Sequence, residues 1–129
     1  MWAHSAAAVR PGGRIALVVP SLESALLARH RLVEWNLRSG VTPSKALTDG
    51  FDDSDPDARS IARGGLMDAG GLPTKHYLRE EIESTAARYG LAAASFEKIE
   101  YRWSTEFAKP PRWMRAPYPW DWLALLVKR

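Results

Sequence analysis

The chain contains no cysteine, which excludes disulfides, thiolate metal sites and a cysteine nucleophile. That absence fits a reducing compartment. Nothing approaches the ~18 consecutive apolar residues of a membrane span, and the start lacks a charged stretch leading into an apolar one. A cytoplasmic protein with no membrane contact is expected. A large excess of charge of one sign is also lacking. A net charge of +3 over 129 residues permits an anionic ligand but is not the concentrated basic face of a nucleic-acid binder. There are no internal repeats. Hydrophobic residues make up 46% of the chain and charged residues 26%, the balance of one folded domain rather than a disordered chain.

Metal chemistry finds little support. The acidic stretch Asp49-Gly50-Phe51-Asp52-Asp53-Ser54-Asp55-Pro56-Asp57 has the look of a calcium loop. Counted from Asp53, however, Ala58 stands where an EF-hand needs Gly and Gly64 where it needs Glu. A solvated acidic loop with no metal is expected.

The small residues Ala3 to Val9 tolerate a helix, and Pro11-Gly12-Gly13 stops them. Arg14 to Pro20 follows with a continuously apolar centre. That pattern predicts a strand covered on both faces, as in a parallel sheet. Ser21 can cap the next helix, with Glu23 in its first turn where the dipole favours negative charge. This helix is expected over Leu22 to Ser39, with Gly40 as its stop. Its apolar residues spread over a wide arc from Leu22 to Leu37, which implies more than one neighbour. Arg29 falls inside that arc, where its stem packs and its head reaches water, or where it meets an anionic group of a substrate.

Residues 41–73 read as a loop or lid insertion. A helix returns over Arg79 to Tyr89, closed by Gly90, and a strand over Ala92 to Trp103. Pro110, Pro111, Pro117 and Pro119 exclude regular structure from 104 to 119. Asp121 to Val127 closes the chain as a mostly apolar strand. The implied architecture is α/β: two parallel strands joined by a right-handed helical crossover, then an antiparallel last strand.

Four segments carry a resemblance. Arg10-Pro11-Gly12-Gly13-Arg14-Ile15-Ala16-Leu17 resembles the turn and fifth strand of class I S-adenosylmethionine-dependent methyltransferases. Thr74-Lys75-His76-Tyr77-Leu78-Arg79-Glu80-Glu81-Ile82 resembles the lead-in to their last helix. Tyr89-Gly90-Leu91 resembles the step into their sixth strand, and Trp120 to Lys128 their closing antiparallel seventh. The resemblance spans nearly the whole chain and implies a single partial domain, 1–129. That domain is the C-terminal part of a Rossmann-like methyltransferase fold: its final three strands, two parallel and the last antiparallel, with flanking helices. Leu78 departs from the family by replacing a capping Thr.

The resemblance also implies what is missing. The family binds S-adenosylmethionine through a glycine-rich turn after its first strand and an acidic residue ending its second, both upstream of these segments. The pairs Gly12-Gly13, Gly64-Gly65 and Gly70-Gly71 give no Gly-x-Gly turn from a strand into a helix. No cofactor site is therefore expected in this chain alone, and no activity without the cofactor-binding half.

Ligands of open α/β sheets bind beyond the carboxyl ends of the strands. The substrate-side candidates there are Ser21, Arg29, Lys75, His76, Tyr77, Trp103, Glu106 and Trp113. His76 is the one candidate for a general base, since imidazole exchanges protons near neutrality; the plainer reading is a polar surface residue. Tyr77 lines a pocket or supports the helix entry. Trp103, Phe107, Trp113, Tyr118, Trp120 and Trp122 enclose an apolar substrate or pin the last strand and the proline-rich loop. Glu106 and Asp121 have Arg112 and Arg115 as nearby partners. No nucleophile is assigned, because methyl transfer is a direct displacement in which the enzyme positions the reactants.

Two rival classes remain. Arg102, Lys109, Arg112 and Arg115 interleave with Trp103, Phe107 and Trp113, a pattern that can stack bases and contact phosphates. Alternatively, the apolar strand Ile15 to Val19 offers an edge for self-association, for pairing with a missing N-terminal half, or for docking on another protein.

Overall fold

The computed structural model describes residues 1–50, 64–69 and 71–129. In chain order the elements are α1 (Trp2–Ala8), β1 (Arg14–Pro20), α2 (Leu22–Arg38), α3 (Pro43–Ala46), β2 (Leu66–Ala69), β3 (Leu72–Lys75), α4 (Arg79–Arg88), β4 (Leu91–Glu100) and β5 (Trp120–Lys128). A 3-10 turn spans Trp103–Thr105. Among the described residues, no helix is long and apolar enough to cross a membrane.

The fold is mixed α/β, and its main sheet has the order β1-β5-β4. Here the sequence expectation needs correction, because no parallel ladder forms among the described strands. β5 lies between the other two and is antiparallel to both. β1 and β4 therefore point the same way without bonding each other. The physical reason lies in the residues. β5 is apolar on both sides, with Trp122, Ala124 and Leu126 alternating with Leu123, Leu125 and Val127, which suits a central strand. The far end of β4 carries Glu97, Lys98 and Glu100, all exposed, which suits an edge.

The inner face holds the core. Val19, Trp122, Ala124, Leu126 and Leu91 pack there against Ile82 and Ala86 of α4 and Ala6 of α1. At the far end of β1, Gly12 takes φ +76, a conformation that glycine adopts without strain. The turn is tied to β5 by Gly12 N–H to the Lys128 carbonyl (2.8 Å) and Lys128 N–H to the Gly13 carbonyl (2.9 Å).

β1 also differs from its expectation of cover on both faces. Ile15 and Leu17 are half-buried and Val19 is buried, whereas Ala16 and Val18 on the outer face are exposed. Its outer edge has no strand partner among the described residues from Arg14 to Val19. β4 stops at Glu100, short of the expected Trp103, after which the chain enters the 3-10 turn and Trp103 is buried. The 41–73 insertion is partly regular: it contains α3 and the antiparallel hairpin β2–β3. Its calcium-like stretch from Asp53 lies outside the described residues.

Candidate functional site at the carboxyl end of the sheet

Pro20 ends β1, and its carbonyl accepts the Tyr77 N–H at 2.8 Å, while the Tyr77 carbonyl accepts from Leu22 N–H at 3.0 Å. These bonds form a parallel bridge between Ser21 and Tyr77. The candidates Ser21 and Tyr77 are thus laid side by side at the carboxyl end of β1.

Ser21 is fully committed there. Its Oγ accepts from the Ser24 N–H and donates to Glu23 Oε2, both at 3.0 Å, and the residue is only 2% exposed. It caps α2 as the sequence implies and has no face left for a substrate. Glu23 does more than favour the helix dipole. Its Oε1 accepts from the Arg79 N–H at 3.0 Å and its Oε2 from the Trp122 Nε1–H at 3.1 Å. Partial burial pushes this carboxyl up, but the Arg79, Trp122 and Ser21 hydrogen bonds outweigh it and hold it below the usual carboxylate range. Leu78 cannot cap α4, so Glu23 caps it from another helix, with a longer bond from Leu78 N–H to Glu81 Oε2 (3.4 Å).

Lys75 pairs with Glu81 at 2.6 Å, bonds the Gly64 carbonyl and sits over the Tyr77 ring. Tyr77 packs onto the inner core and meets Trp2 edge-on. Arg29 is half-buried on α2.

The stretch 101–119, which carries the candidates Trp103, Glu106 and Trp113, is a structural clamp. Trp103 is 2% exposed. Its Nε1–H donates to the carbonyls of Arg115 (3.1 Å) and Pro117 (3.2 Å), and its ring stacks on Phe107. Arg31 of α2 lies 5.6 Å from the Trp103 centroid and 5.7 Å from that of Trp113. It also bonds Glu34 at 2.8 Å and the Arg115 carbonyl at 2.6 Å. Arg38 covers Trp113 at 4.0 Å. The rings that could have stacked bases are filled by the protein's own side chains.

What remains open is on the outer face. Bridge partners share a face in a sheet. Tyr77 turns inward with Ser21, so the preceding His76 lies on the side of Pro20, and Pro20 stands opposite Asp121. Asp121 in turn stands opposite Ile99 of β4. His76 Nδ1 lies 3.1 Å from the Thr74 carbonyl. A carbonyl only accepts, so Nδ1 carries the hydrogen and Nε2 is left with the lone pair in the neutral ring. Burial raises the Asp121 carboxyl above its usual range, and His76 opposes that shift. Tyr101 beyond β4 donates its hydroxyl to Glu106 at 3.1 Å. Burial, then the Glu106 and Asp121 charges, push its phenol far above the usual range, so it stays a neutral donor. Neither carboxylate takes Arg112 or Arg115 as its described partner.

Glu23, Asp121 and Tyr101 were not among the sequence candidates. Glu23 and Asp121 owe their positions to residues far away in the chain, for which no local spacing gives a signal, whereas Tyr101 bonds Glu106 five residues on. A separate hollow lined by Trp2, Ile15, Leu17, Leu91 and Leu126 lies on the inner face. Met1 and Ser5 complete its otherwise apolar lining, and it reads as a packing gap rather than the site. Among the described residues, no group of three His, Asp or Glu is placed to hold a metal ion. Comparison with family models, curated proteins and solved structures finds no match.

Proposed function

We propose that this chain is the C-terminal, substrate-side portion of a class I S-adenosylmethionine-dependent methyltransferase acting on a small-molecule acceptor. The observation that supports this most is the antiparallel β5 beside the strand that follows Arg10-Pro11-Gly12-Gly13. The family resemblance calls for an antiparallel closing strand at this place. A second support is the Ser21–Tyr77 bridge, which brings the lead-in of α4 to the carboxyl end of β1, where α/β folds bind ligands.

The residues present do not fit the cofactor itself. A methylsulfonium nucleoside needs backbone approach at a glycine turn and a carboxylate for its ribose. Gly12 and Gly13 are engaged with Lys128, and a Cβ on Gly65 would lie 2.4 Å from the His76 carbonyl oxygen. At the start of α2 the Leu22 N–H is taken by the Tyr77 carbonyl and the Ser24 N–H by Ser21 Oγ. The cofactor would be held by a different polypeptide segment, and this chain contributes acceptor-side residues.

The test is to translate the DNA upstream of the Met1 codon and to titrate the joined product with S-adenosylmethionine. A Gly-x-Gly turn with an acidic residue about 20 positions later, together with saturable cofactor binding, is the expected result. Upstream DNA that encodes nothing of the kind sinks the reading.

A further inference from the structure

The two edges of the three-stranded sheet are finished differently. The β4 edge is guarded: its ladder with β5 shifts register between Ala93 and Ser95, and Glu97, Lys98 and Glu100 are exposed along it. A bulge and charges of this kind keep other strands away. The β1 edge has neither. Its register with β5 is unbroken from Arg14 to Pro20, and Ile15-Ala16-Leu17-Val18-Val19 holds no charge.

Two hydrogen bonds fix which backbone groups this edge presents, because successive strand residues turn their N–H and C=O groups to opposite sides. Lys128 N–H donates to the Gly13 carbonyl at 2.9 Å, so Ile15, Leu17 and Val19 turn theirs toward β5. On the other side, the Pro20 carbonyl accepts from Tyr77 N–H at 2.8 Å, so Arg14, Ala16 and Val18 turn theirs outward. All three of these residues are exposed, Val18 at 54%, and no strand pairs with them among the described residues. The Tyr77 bridge closes the row at its carboxyl end.

We propose that this edge is a homodimer interface, in which β1 pairs with β1 of a second copy, antiparallel about a twofold axis at Ala16. The outward row is centred on Ala16, so Ala16 faces its own copy and Arg14 faces Val18 of the second copy. Each of the three residues then uses both its N–H and its C=O, about six bonds in straight pairs. The Arg14 stem lies along Val18 with its charge in water. The second strand begins at its own Arg14, opposite Val18, and so stops short of the bridge at Ser21. The joined sheet ends on a guarded β4 edge at either side. A second copy therefore uses up the open edge without creating another, as a closed isologous contact does. A parallel strand from elsewhere would make slanted, less stable bonds. The dimer stands on this geometry and not on the function proposed above.

The experiment is sedimentation velocity with amide-exchange NMR on the full chain over a concentration series. The mass is expected to rise from 14.4 kDa toward twice that value and no further. The Arg14, Ala16 and Val18 amides gain protection in step, while those of Ile15, Leu17 and Val19 are protected throughout. Ala16→Lys and Ala16→Glu each set like charges opposite one another on the axis and weaken dimerisation about fivefold or more. Mixed in equal amounts, the two variants pair with each other. A monomer at every concentration, growth beyond a dimer, protection gained at another surface, or folded Lys and Glu variants that fail to pair overturns the proposal. The two readings fail separately. A joined product that binds no cofactor removes the methyltransferase reading only. A joined product that protects Arg14, Ala16 and Val18 at every concentration shows that the cofactor-binding half takes this edge, and removes the dimer only.

Discussion

On the inner face of the three-stranded sheet, Trp122, Ala124 and Leu126 are buried beneath α1 and α4. One residue along, Leu123, Leu125 and Val127 on the outer face stay half-buried, and Val18 beside them is more than half exposed. The residue types on the two faces are nearly the same. A strand that is apolar on both sides thus announces shelter without saying which side receives it. The helices settle that, and both helices of the core cluster pack on one side.

The largest effect that separates the faces is truncation in the core. Ile82→Ala or Leu126→Ala should cost about 2–5 kcal/mol by denaturant unfolding, since neither side chain is more than 1% exposed. A cost near that of an outer-face change would erase the distinction. Next is Glu23, which ties the inner-face Trp122 to the start of α4. Glu23→Gln weakens charge-assisted bonds and should cost about 1–3 kcal/mol near neutrality. Its carboxyl is held below the usual range in the folded state. Its contribution is therefore complete above the unfolded carboxylate value of about 4.3 and is lost as pH falls through the lower folded value. Wild type and variant should converge in stability through that acid window; a constant gap would contradict the assignment.

Arg31→Lys is expected to cost about 1 kcal/mol, because lysine cannot hold the Glu34 and Arg115 contacts with a planar group between two indoles. Quenching of Trp113 fluorescence by added iodide should rise if the clamp loosens. The smallest effect on stability belongs to the outer face. Val18→Lys should change it by no more than about 0.5 kcal/mol. It should nonetheless lower the concentration-dependent self-association expected of an unpaired apolar edge. Light scattering that shows a clean monomer for the unmodified chain at high concentration would remove that expectation.

Much of the secondary structure was legible. Pro11-Gly12-Gly13 stops α1, Ser21 caps α2, and Gly40 and Gly90 follow their helices, because caps and breakers act over a few residues. The β2–β3 hairpin also had a signal: the Gly70-Gly71 pair separates two short stretches, the spacing of a tight hairpin. The strand order was not legible. That β5 inserts between β1 and β4 depends on pairing across most of the chain, which local periodicity does not encode. The site divides the same way. Ser21, His76 and Tyr77 could be put forward as candidates because they flank the carboxyl end of β1, whereas Glu23 and Asp121 become meaningful only once Arg79, Trp122 and His76 are brought to them.

The central strand β5 also follows both of its neighbours in sequence order. During synthesis, β1 and β4 emerge with no partner, since each is hydrogen-bonded to β5 and not to the other. The register that joins Arg14 to Val127 closes a loop of nearly the whole chain, an entropic cost that non-local sheets meet late and slowly. Until Trp120–Lys128 clears the ribosome, the apolar strand Arg14–Pro20 waits with both of its edges open. The nascent chain is thus most aggregation-prone in the interval before β5 is made.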